Sequence, residues 1–271
     1  MIEIAAVPIF ALTIAGSDSG GGAGIQADLR AFASQGVFGL SAITAVTAQN
    51  SRQVSDVRVM PLSLVVSQCE ALFDDYPIAV VKTGMLANVA ITRQIAQLAT
   101  ERSGIPWVVD PVMIASSGAR LLDARAEHVM RTKLVPRATL VTPNLPEAEA
   151  LLGRTIISES DLIIAARDLV ATGAHAVLLK GGHLPGPEVV DVLCVGTEIT
   201  LFRAPRREIR SHGTGCTLAS LIAARLALGE SIQPAVTAAI SAFRLALEHG
   251  VVIGKGQVWV PYPRAGQARS N

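Results

Sequence analysis

Short apolar runs alternate with longer helical patterns along most of this chain, and this alternation limits the possible folds more than any other feature. Six runs predict buried strands, at residues 10–15, 42–47, 79–82, 107–110, 139–141 and 176–179. Because these runs are apolar on both faces, they belong in a sheet whose two sides are both covered.

Helical patterns lie between and after these strands, at residues 24–34, 62–73, 90–101, 124–134, 146–151, 162–172, 217–228 and 234–249. This order predicts right-handed crossovers, and therefore a mostly parallel sheet with helices on both faces. Residues 189–195 and 198–202, separated by Gly196 and Thr197, predict an antiparallel hairpin at a sheet edge. We expect one α/β domain over residues 1–271, with 263–271 as a frayed polar tail.

The charge balance and the cysteines exclude several classes of protein. The chain has 271 residues, 23 basic against 22 acidic, so charge offers no reason to expect nucleic acid or an anionic membrane as a partner. Its three cysteines form no C-x-x-C pair, which disfavours a disulfide framework or a zinc site. Residues 1–8 lack the basic region of a signal peptide, and the apolar runs are too short to cross a bilayer. We expect a soluble protein of the cytoplasm.

The heptapeptide Ser-His-Gly-Thr-Gly-Cys-Thr, at residues 211–217, stands directly before an apolar helical run. Gly213 and Gly215 permit a tight turn whose N–H groups point into one concavity, and the helix N-terminus adds partial positive charge. The turn therefore suits an anion such as a transferring phosphoryl group. The same field favours the thiolate of Cys216. Alternatively, the glycines form an ordinary loop and Cys216 packs beneath the helix.

Five predicted strands are followed directly by Gly-rich or charged segments, at residues 16–24, 82–85, 110–113, 142–147 and 180–183. In parallel sheets, ligands bind beyond the carboxyl ends of the strands, so these segments predict one shared cleft. The first segment has neither the Gly-Lys-Ser/Thr ending of a P-loop nor a strict G-x-G-x-x-G pattern. A dinucleotide-binding dehydrogenase is therefore disfavoured.

Several polar residues in these segments have more than one interpretation. Asp110 could orient a nucleophile, bind a metal or cap a helix. Asn144 and Glu147, three residues apart at a helix start, suit Mg²⁺ ligation through water, or else form a capping box. Lys180 could neutralise a phosphate as a point charge, or simply be solvated. The five histidines show no metal-binding spacing, so a zinc hydrolase has no support.

Eight strings of residues then resemble one known family in its own order: 11–19, 21–28, 43–50, 82–86, 110–113, 142–148, 180–183 and 212–217. The chain resembles the ribokinase-like superfamily, and within it the hydroxymethylpyrimidine/phosphomethylpyrimidine kinases of thiamine biosynthesis. Ser19-Gly20 departs slightly from the family, which often has Pro-Ser or Ser-Ser there. The resemblance implies a three-layer αβα sandwich, a homodimer, and use of ATP and Mg²⁺.

The implied reaction phosphorylates the hydroxymethyl group of the pyrimidine and then converts the monophosphate to the diphosphate. Pyridoxal and pyridoxine are also flat heteroaromatics bearing a hydroxymethyl group, so a pyridoxal kinase is the nearest alternative. A nucleotide- or vitamer-binding regulatory protein that has lost turnover is a further alternative, and the intact set formed by Lys180, Asn144, Glu147 and residues 213–216 argues against it.

The resemblance also implies roles for individual residues. Gln49 would pair with the edge of the aminopyrimidine, because its amide both donates and accepts. The other substrate contacts would be Gly16, Ala23, Asp28, Met85 and Val112. ATP would be bound by Lys180, Thr214, Asp110 and Asn144 with the Gly213–Gly215 turn, and Asn144 and Glu147 would hold Mg²⁺ through water. Cys216 stands where the superfamily usually has an aspartate base, and it would act with Gly213, Gly215 and Lys180 in catalysis.

Overall fold

The computed structural model describes residues 7–113, 124–209 and 211–264. Its strands are β1 (Phe10–Asp18), β2 (Phe38–Gln49), β3 (Val54–Val59), β4 (Ile78–Thr83), β5 (Trp107–Val109), β6 (Leu140–Val141), β7 (Ala176–Leu179), β8 (Glu188–Val195), β9 (Glu198–Pro205), β10 (Val251–Ile253) and β11 (Val258–Val260). Its helices are α1 (Gly24–Ser34), α2 (Leu62–Asp75), α3 (Val89–Glu101), α4 (Ala124–Val129), α5 (Leu145–Leu152), α6 (Glu159–Ala171), α7 (Thr214–Ala227) and α8 (Ile232–Glu248).

Nine strands form one sheet in the order β3-β2-β1-β4-β5-β6-β7-β8-β9. The pairs from β2 to β7 are parallel, while β3, β8 and β9 join antiparallel. The mostly parallel sheet and the edge hairpin are therefore confirmed, and β10 pairs with β11 as a separate hairpin.

Two hydrophobic cores lie on opposite faces of the sheet. One is built with α1, α7 and α8, and the other with α2 to α6. Successive strand residues point to opposite faces, so Val108 enters the first core while Trp107 and Val109 enter the second. This division confirms the predicted three-layer αβα sandwich.

Several element boundaries differ from the predicted ones because of local side-chain chemistry. The helix expected from residue 162 starts at Glu159, because the Ser158 side chain caps it by accepting from the Asp161 N–H. The helix expected over 124–134 becomes a π-helix at Met130–Leu134. Strand β3 was not predicted, since five of its six residues are exposed and half are polar, as expected for an edge.

Two expectations reach beyond the described ranges. Residues 265–271 of the predicted tail lie outside them, and the single domain over the whole chain stays a prediction. Among the described helices, none is both long enough and apolar enough to cross a bilayer.

Candidate active site

One cleft of about 1230 Å³ lies at the carboxyl end of the parallel strands. All five predicted segments line it, represented by Gly16, Gly84, Asp110, Glu147 and Lys180, together with the start of α7. The shared cleft is therefore confirmed. Such a volume exceeds what one drug-sized ligand usually occupies, so two ligands can lie side by side.

Asp18, which the sequence analysis did not identify, organises the first Gly-rich loop. Its carboxylate accepts from the backbone N–H groups of Gly20, Gly22 and Ala23 at 2.8–3.0 Å, and lies 2.9 Å from His212 Nε2. Burial alone would raise the pKa of Asp18, but the hydrogen bonds from His212 and the backbone outweigh it and hold that pKa below its usual value. An ionised carboxylate thus fixes the loop.

His212 connects this loop to Gln49 at the end of β2. The His212 Nε2 atom lies 3.0 Å from Gln49 Nε2 as well as 2.9 Å from Asp18 Oδ2. Because Nε2 carries at most one proton, it can donate to Asp18 or accept from Gln49, but cannot do both at once. Whenever His212 donates to Asp18, the NH2 group of Gln49 can donate to a substrate instead, while Gln49 Oε1 accepts from Thr47 Oγ1 at 3.3 Å.

The other residues expected at the substrate divide into two groups. Gly16, Ala23, Met85 and Val112 line the cleft, as expected, with Met85 packed so closely on Gly16 that a Cβ there would lie 2.3 Å from Met85 Cε. Asp28, in contrast, is fully buried and bonds to Thr13, Lys82 and Ser220. Because α1 turns this side chain inward, the predicted contact of Asp28 with the substrate is wrong.

The predicted anion-binding turn forms the N-terminus of α7. Gly213 is left-handed, with φ +74°, and α7 starts at Thr214, three residues earlier than expected. Lys180 lies beside the turn, since a Cβ on Gly215 would be 3.1 Å from Lys180 Nζ. Burial alone would lower the pKa of Lys180, but the nearby carboxylates of Asp110 and Glu147 raise that pKa by a larger amount. The pKa of Lys180 is therefore above its usual value, and the side chain stays charged. A cation and a helix N-terminus therefore face the same part of the cleft.

Asp110 and Lys180 form a partly buried ion pair with Nζ–Oδ1 3.1 Å, and Thr142 Oγ1 donates to the same carboxylate oxygen at 3.1 Å. Residues 111–113 are not helical, so the interpretation of Asp110 as a helix cap is wrong. Asn144 and Glu147 do form a capping box, each side chain accepting from the other's backbone N–H at 2.8–2.9 Å. Both residues nevertheless line the cleft.

The carboxylates of this region fit a magnesium ion carried by a phosphate. Burial raises the pKa of Glu147 to about 7, with Asp110 adding to the shift and Lys180 opposing it. A cation would therefore relieve the repulsion between two buried acidic groups. Within the described residues, no three or more His, Cys, Asp or Glu side chains form a metal-binding group. This donor set suits Mg²⁺ held through water with a substrate phosphate, not a protein cage.

Cys216, at the first turn of α7, differs from its sequence-based expectation. Burial raises the pKa of its thiol to about 11, although Lys82 lowers it in part. The thiol, not the predicted thiolate, is therefore the main form at neutral pH in the free protein. The helix N-terminus alone does not overcome the loss of solvation.

Comparison with known proteins decides the family. The family model for phosphomethylpyrimidine kinase matches residues 18–261. This chain belongs to that family. It is 45% identical over 250 residues to the hydroxymethylpyrimidine/phosphomethylpyrimidine kinase of Haemophilus influenzae, covering 90% of this chain and 93% of the relative. It is also 47% identical over 246 residues to a thiamine biosynthesis bifunctional protein of Geobacter sulfurreducens. That alignment includes 90% of this chain and 50% of the relative.

Solved structures support the same fold. The pyridoxal kinase of Staphylococcus aureus in complex with AMP-PCP and pyridoxal superposes with a TM-score of 0.88 at 31% identity, covering 97% of this chain and 96% of that one. The fold is therefore that of a vitamin kinase, and this chain is an enzyme of a kinase family.

Proposed function

We propose that this chain phosphorylates 4-amino-5-hydroxymethyl-2-methylpyrimidine to its monophosphate and then to the diphosphate, for the biosynthesis of thiamine diphosphate. The observation that carries the proposal is a single cleft lined by two chemically different sets of residues. The Gly213–Gly215 turn and Lys180 suit phosphate, whereas the Gln49 amide and the apolar Met85 and Val112 suit a flat heteroaromatic ring. The 45% identity to a kinase of that name supports the substrate.

ATP would be the phosphoryl donor, held by Lys180, Thr214, Asp110 and Asn144. The AMP-PCP bound to the Staphylococcus aureus relative supports a nucleotide in this fold. Mg²⁺, held by Asn144 and Glu147 through water, would neutralise charge on the transferring phosphoryl group. The protein would supply the rest by holding both reactants in one cleft and placing donors against the developing charge.

Cys216 would act as base in the first step only. The hydroxymethyl group is weakly acidic, so its proton must be removed as its oxygen attacks. In the second step the attacking phosphate oxygen is already ionised near neutral pH, so it needs no base. The two phosphorylations therefore place different demands on the same residue.

A coupled assay with Mg-ATP would test the function, comparing the hydroxymethylpyrimidine, its monophosphate and pyridoxal at matched concentrations. Turnover of both pyrimidines with much slower turnover of pyridoxal is the expected result. Efficient pyridoxal turnover with a poor second pyrimidine step would overturn it in favour of a pyridoxal kinase. The structural similarity to the Staphylococcus aureus enzyme makes that the second candidate.

We also propose that the enzyme is a cytoplasmic homodimer with one kinase domain over residues 1–271, and that neither nucleic acid nor membrane is a partner. The near-neutral charge supports the last point. Exposed apolar side chains on β2, on the edge strand β3 and at the start of α2 support the dimer: Val46, Val57, Val59, Leu62 and Leu64.

A further inference from the structure

A fully buried ion pair lies beneath the cleft and joins four elements of the fold. Lys82 Nζ of β4 is 2.9 Å from each carboxylate oxygen of Asp28 on α1, and both side chains have no exposed surface. Asp28 also accepts from Thr13 Oγ1 of β1 at 2.6 Å and from Ser220 Oγ of α7 at 2.7 Å. Its acceptor capacity is therefore fully used.

Such a pair is poorly explained by stability alone. Removing two charges from water costs more than their attraction commonly returns, and hydrophobic replacements of similar volume are often equally stable or better. A complete network around Asp28, placed directly under a ligand cleft, therefore points to a role for the charge.

Lys82 lies at the floor of that cleft. It is among the residues that line it, and a Cβ on Gly84 would come within 3.0 Å of Lys82 Nζ. An ammonium group has three protons, and Asp28 accepts two of them. The third is available to a group above the pair.

Cys216 occupies the position above the pair. Cys216 and Ser220 are four residues apart on α7 and therefore share a helix face, and Ser220 bonds directly to Asp28. On the facing helix, Gly24 stands four residues before Asp28, and its backbone N–H favours the thiolate of Cys216. Successive turns of α1 and α7 thus place Gly24 and Cys216 one level above Asp28 and Ser220.

We propose that Lys82, fixed by Asp28, is a positioning residue that holds a buried positive charge beneath Cys216 and stabilises the anionic sulfur. In the first phosphorylation the thiolate accepts the hydroxymethyl proton, the substrate oxygen bonds to the γ-phosphorus, and ADP leaves with the electrons of the broken P–O bond. Lys82 stays protonated throughout and supplies no proton. This catalytic part rests on the proposed function, whereas the electrostatic coupling does not.

Other charged groups also act on Cys216. The Asp28 carboxylate from α1 and the Asp110 carboxylate after β5 disfavour the thiolate, whereas Lys82 from β4 favours it. Lys180, after β7, is a further cation that interacts with Cys216. Since Lys82 and Asp28 act in opposite directions, their removal should have opposite effects.

The test measures the rate of Cys216 alkylation by iodoacetamide as a function of pH, with Cys216 followed by peptide mass spectrometry in the full-length protein. We expect Lys82→Met to slow alkylation at pH 8 by about tenfold or more, because one unit of thiol pKa changes the thiolate population about tenfold. Asp28→Asn should accelerate it. Ser220→Ala removes a hydrogen bond from the same network without changing charge, and it should leave the pH profile unchanged.

Shifts of Lys82→Met and Asp28→Asn in the same direction, or no shift in either, would overturn the coupling. If either single variant fails to fold, the double variant Lys82→Met/Asp28→Asn removes both charges at similar volume. Its alkylation should remain slower than that of the wild type, and an equal or faster rate would overturn the proposal.

Kinase assays on the same variants separate the catalytic part. We expect Lys82→Met to reduce the first phosphorylation more than the second, and equal losses would overturn the role in proton removal. A wild-type protein that turns over neither pyrimidine would refute the proposed function. The alkylation rates would still decide whether the charges of Lys82 and Asp28 act on the Cys216 thiol.

Discussion

Cys216 is a weak acid in the free protein, and its role as base can be tested by separating the two phosphorylations. We expect Cys216→Ala to slow the first step by about 10²–10⁴-fold, the usual contribution of a general base, and the second step far less. Initial rates on the hydroxymethylpyrimidine and on its monophosphate would measure this. Equal losses in both steps would instead make Cys216 a packing or substrate-contact residue.

Glu147 makes the stability of the free protein depend on pH. Its carboxyl has a pKa of about 7 in the fold, because it is buried, against 4.5 ordinarily. Between these pH values the Glu147 carboxyl is ionised in the unfolded chain but keeps its proton in the folded protein. The free energy of unfolding therefore falls as the pH rises from 4.5 to 7, and the loss stays constant above pH 7.

Glu147→Gln should therefore raise the free energy of unfolding at pH 8 by about 1–3 kcal/mol and leave it nearly unchanged at pH 4.5. The amide oxygen can still accept from the Asn144 N–H and keep the capping box. Urea unfolding without nucleotide or Mg²⁺ would measure the difference. Glu70→Gln, at an exposed position on α2, is the control and should show no such pH dependence. A gain that is equal at both pH values would contradict the assignment.

Between elements, the start of α7 and the loop after β1 form one unit. Gly213 has φ +74°, and a Cβ there would lie 1.9 Å from the carbonyl oxygen of Gly22. Gly36 has nearly the same φ, +76°, but a Cβ there would meet nothing within 4 Å. An alanine at either position would have the same strain of a left-handed backbone. Only at position 213 would its Cβ also collide with a neighbouring loop.

We expect Gly36→Ala to cost about 1–2 kcal/mol of stability, the strain of a left-handed alanine, and to leave the KM for ATP unchanged. Gly213→Ala should cost more and also raise the KM for ATP, because it pushes the two loops apart. Thermal unfolding and steady-state kinetics would measure both variants. Equal effects would mean that the close approach of the loops has no importance for binding.

For the whole molecule, the exposed edge of the sheet determines the expected assembly. Strand β3 is an edge strand, and Val57 and Val59 on it are 37% and 42% exposed. We expect sedimentation velocity to show a dimer, and Val57→Asp/Val59→Asp to convert it to a monomer, since paired surfaces tolerate buried unpaired charge poorly. Val252→Asp, at an exposed valine of β10, is the control and should stay dimeric. A monomeric wild type would refute the dimer.

Much of the whole architecture followed from the sequence because its cause is local. Runs such as residues 176–179 are apolar on both faces, and a strand of that kind is stable only with helices on both sides. Because parallel strands end at one edge, the segments containing Gly16, Asp110 and Lys180 were expected to meet in one cleft, and they do. The capping box of Asn144 and Glu147 was likewise readable from a spacing of three residues.

Only the tertiary structure decided which side chains face one another. Asp18 and His212 are 194 positions apart, and no local pattern predicts their hydrogen bond. The rotation of α1 about its axis turns Asp28 away from the substrate and onto Lys82, and the packing of α7 buries Cys216 enough to raise its pKa. The rotation of a helix, the approach of two loops and the loss of solvent around a side chain all depend on the whole packed chain. The sequence therefore determines which residue stands at a position, whereas the tertiary structure determines its contacts and its charge.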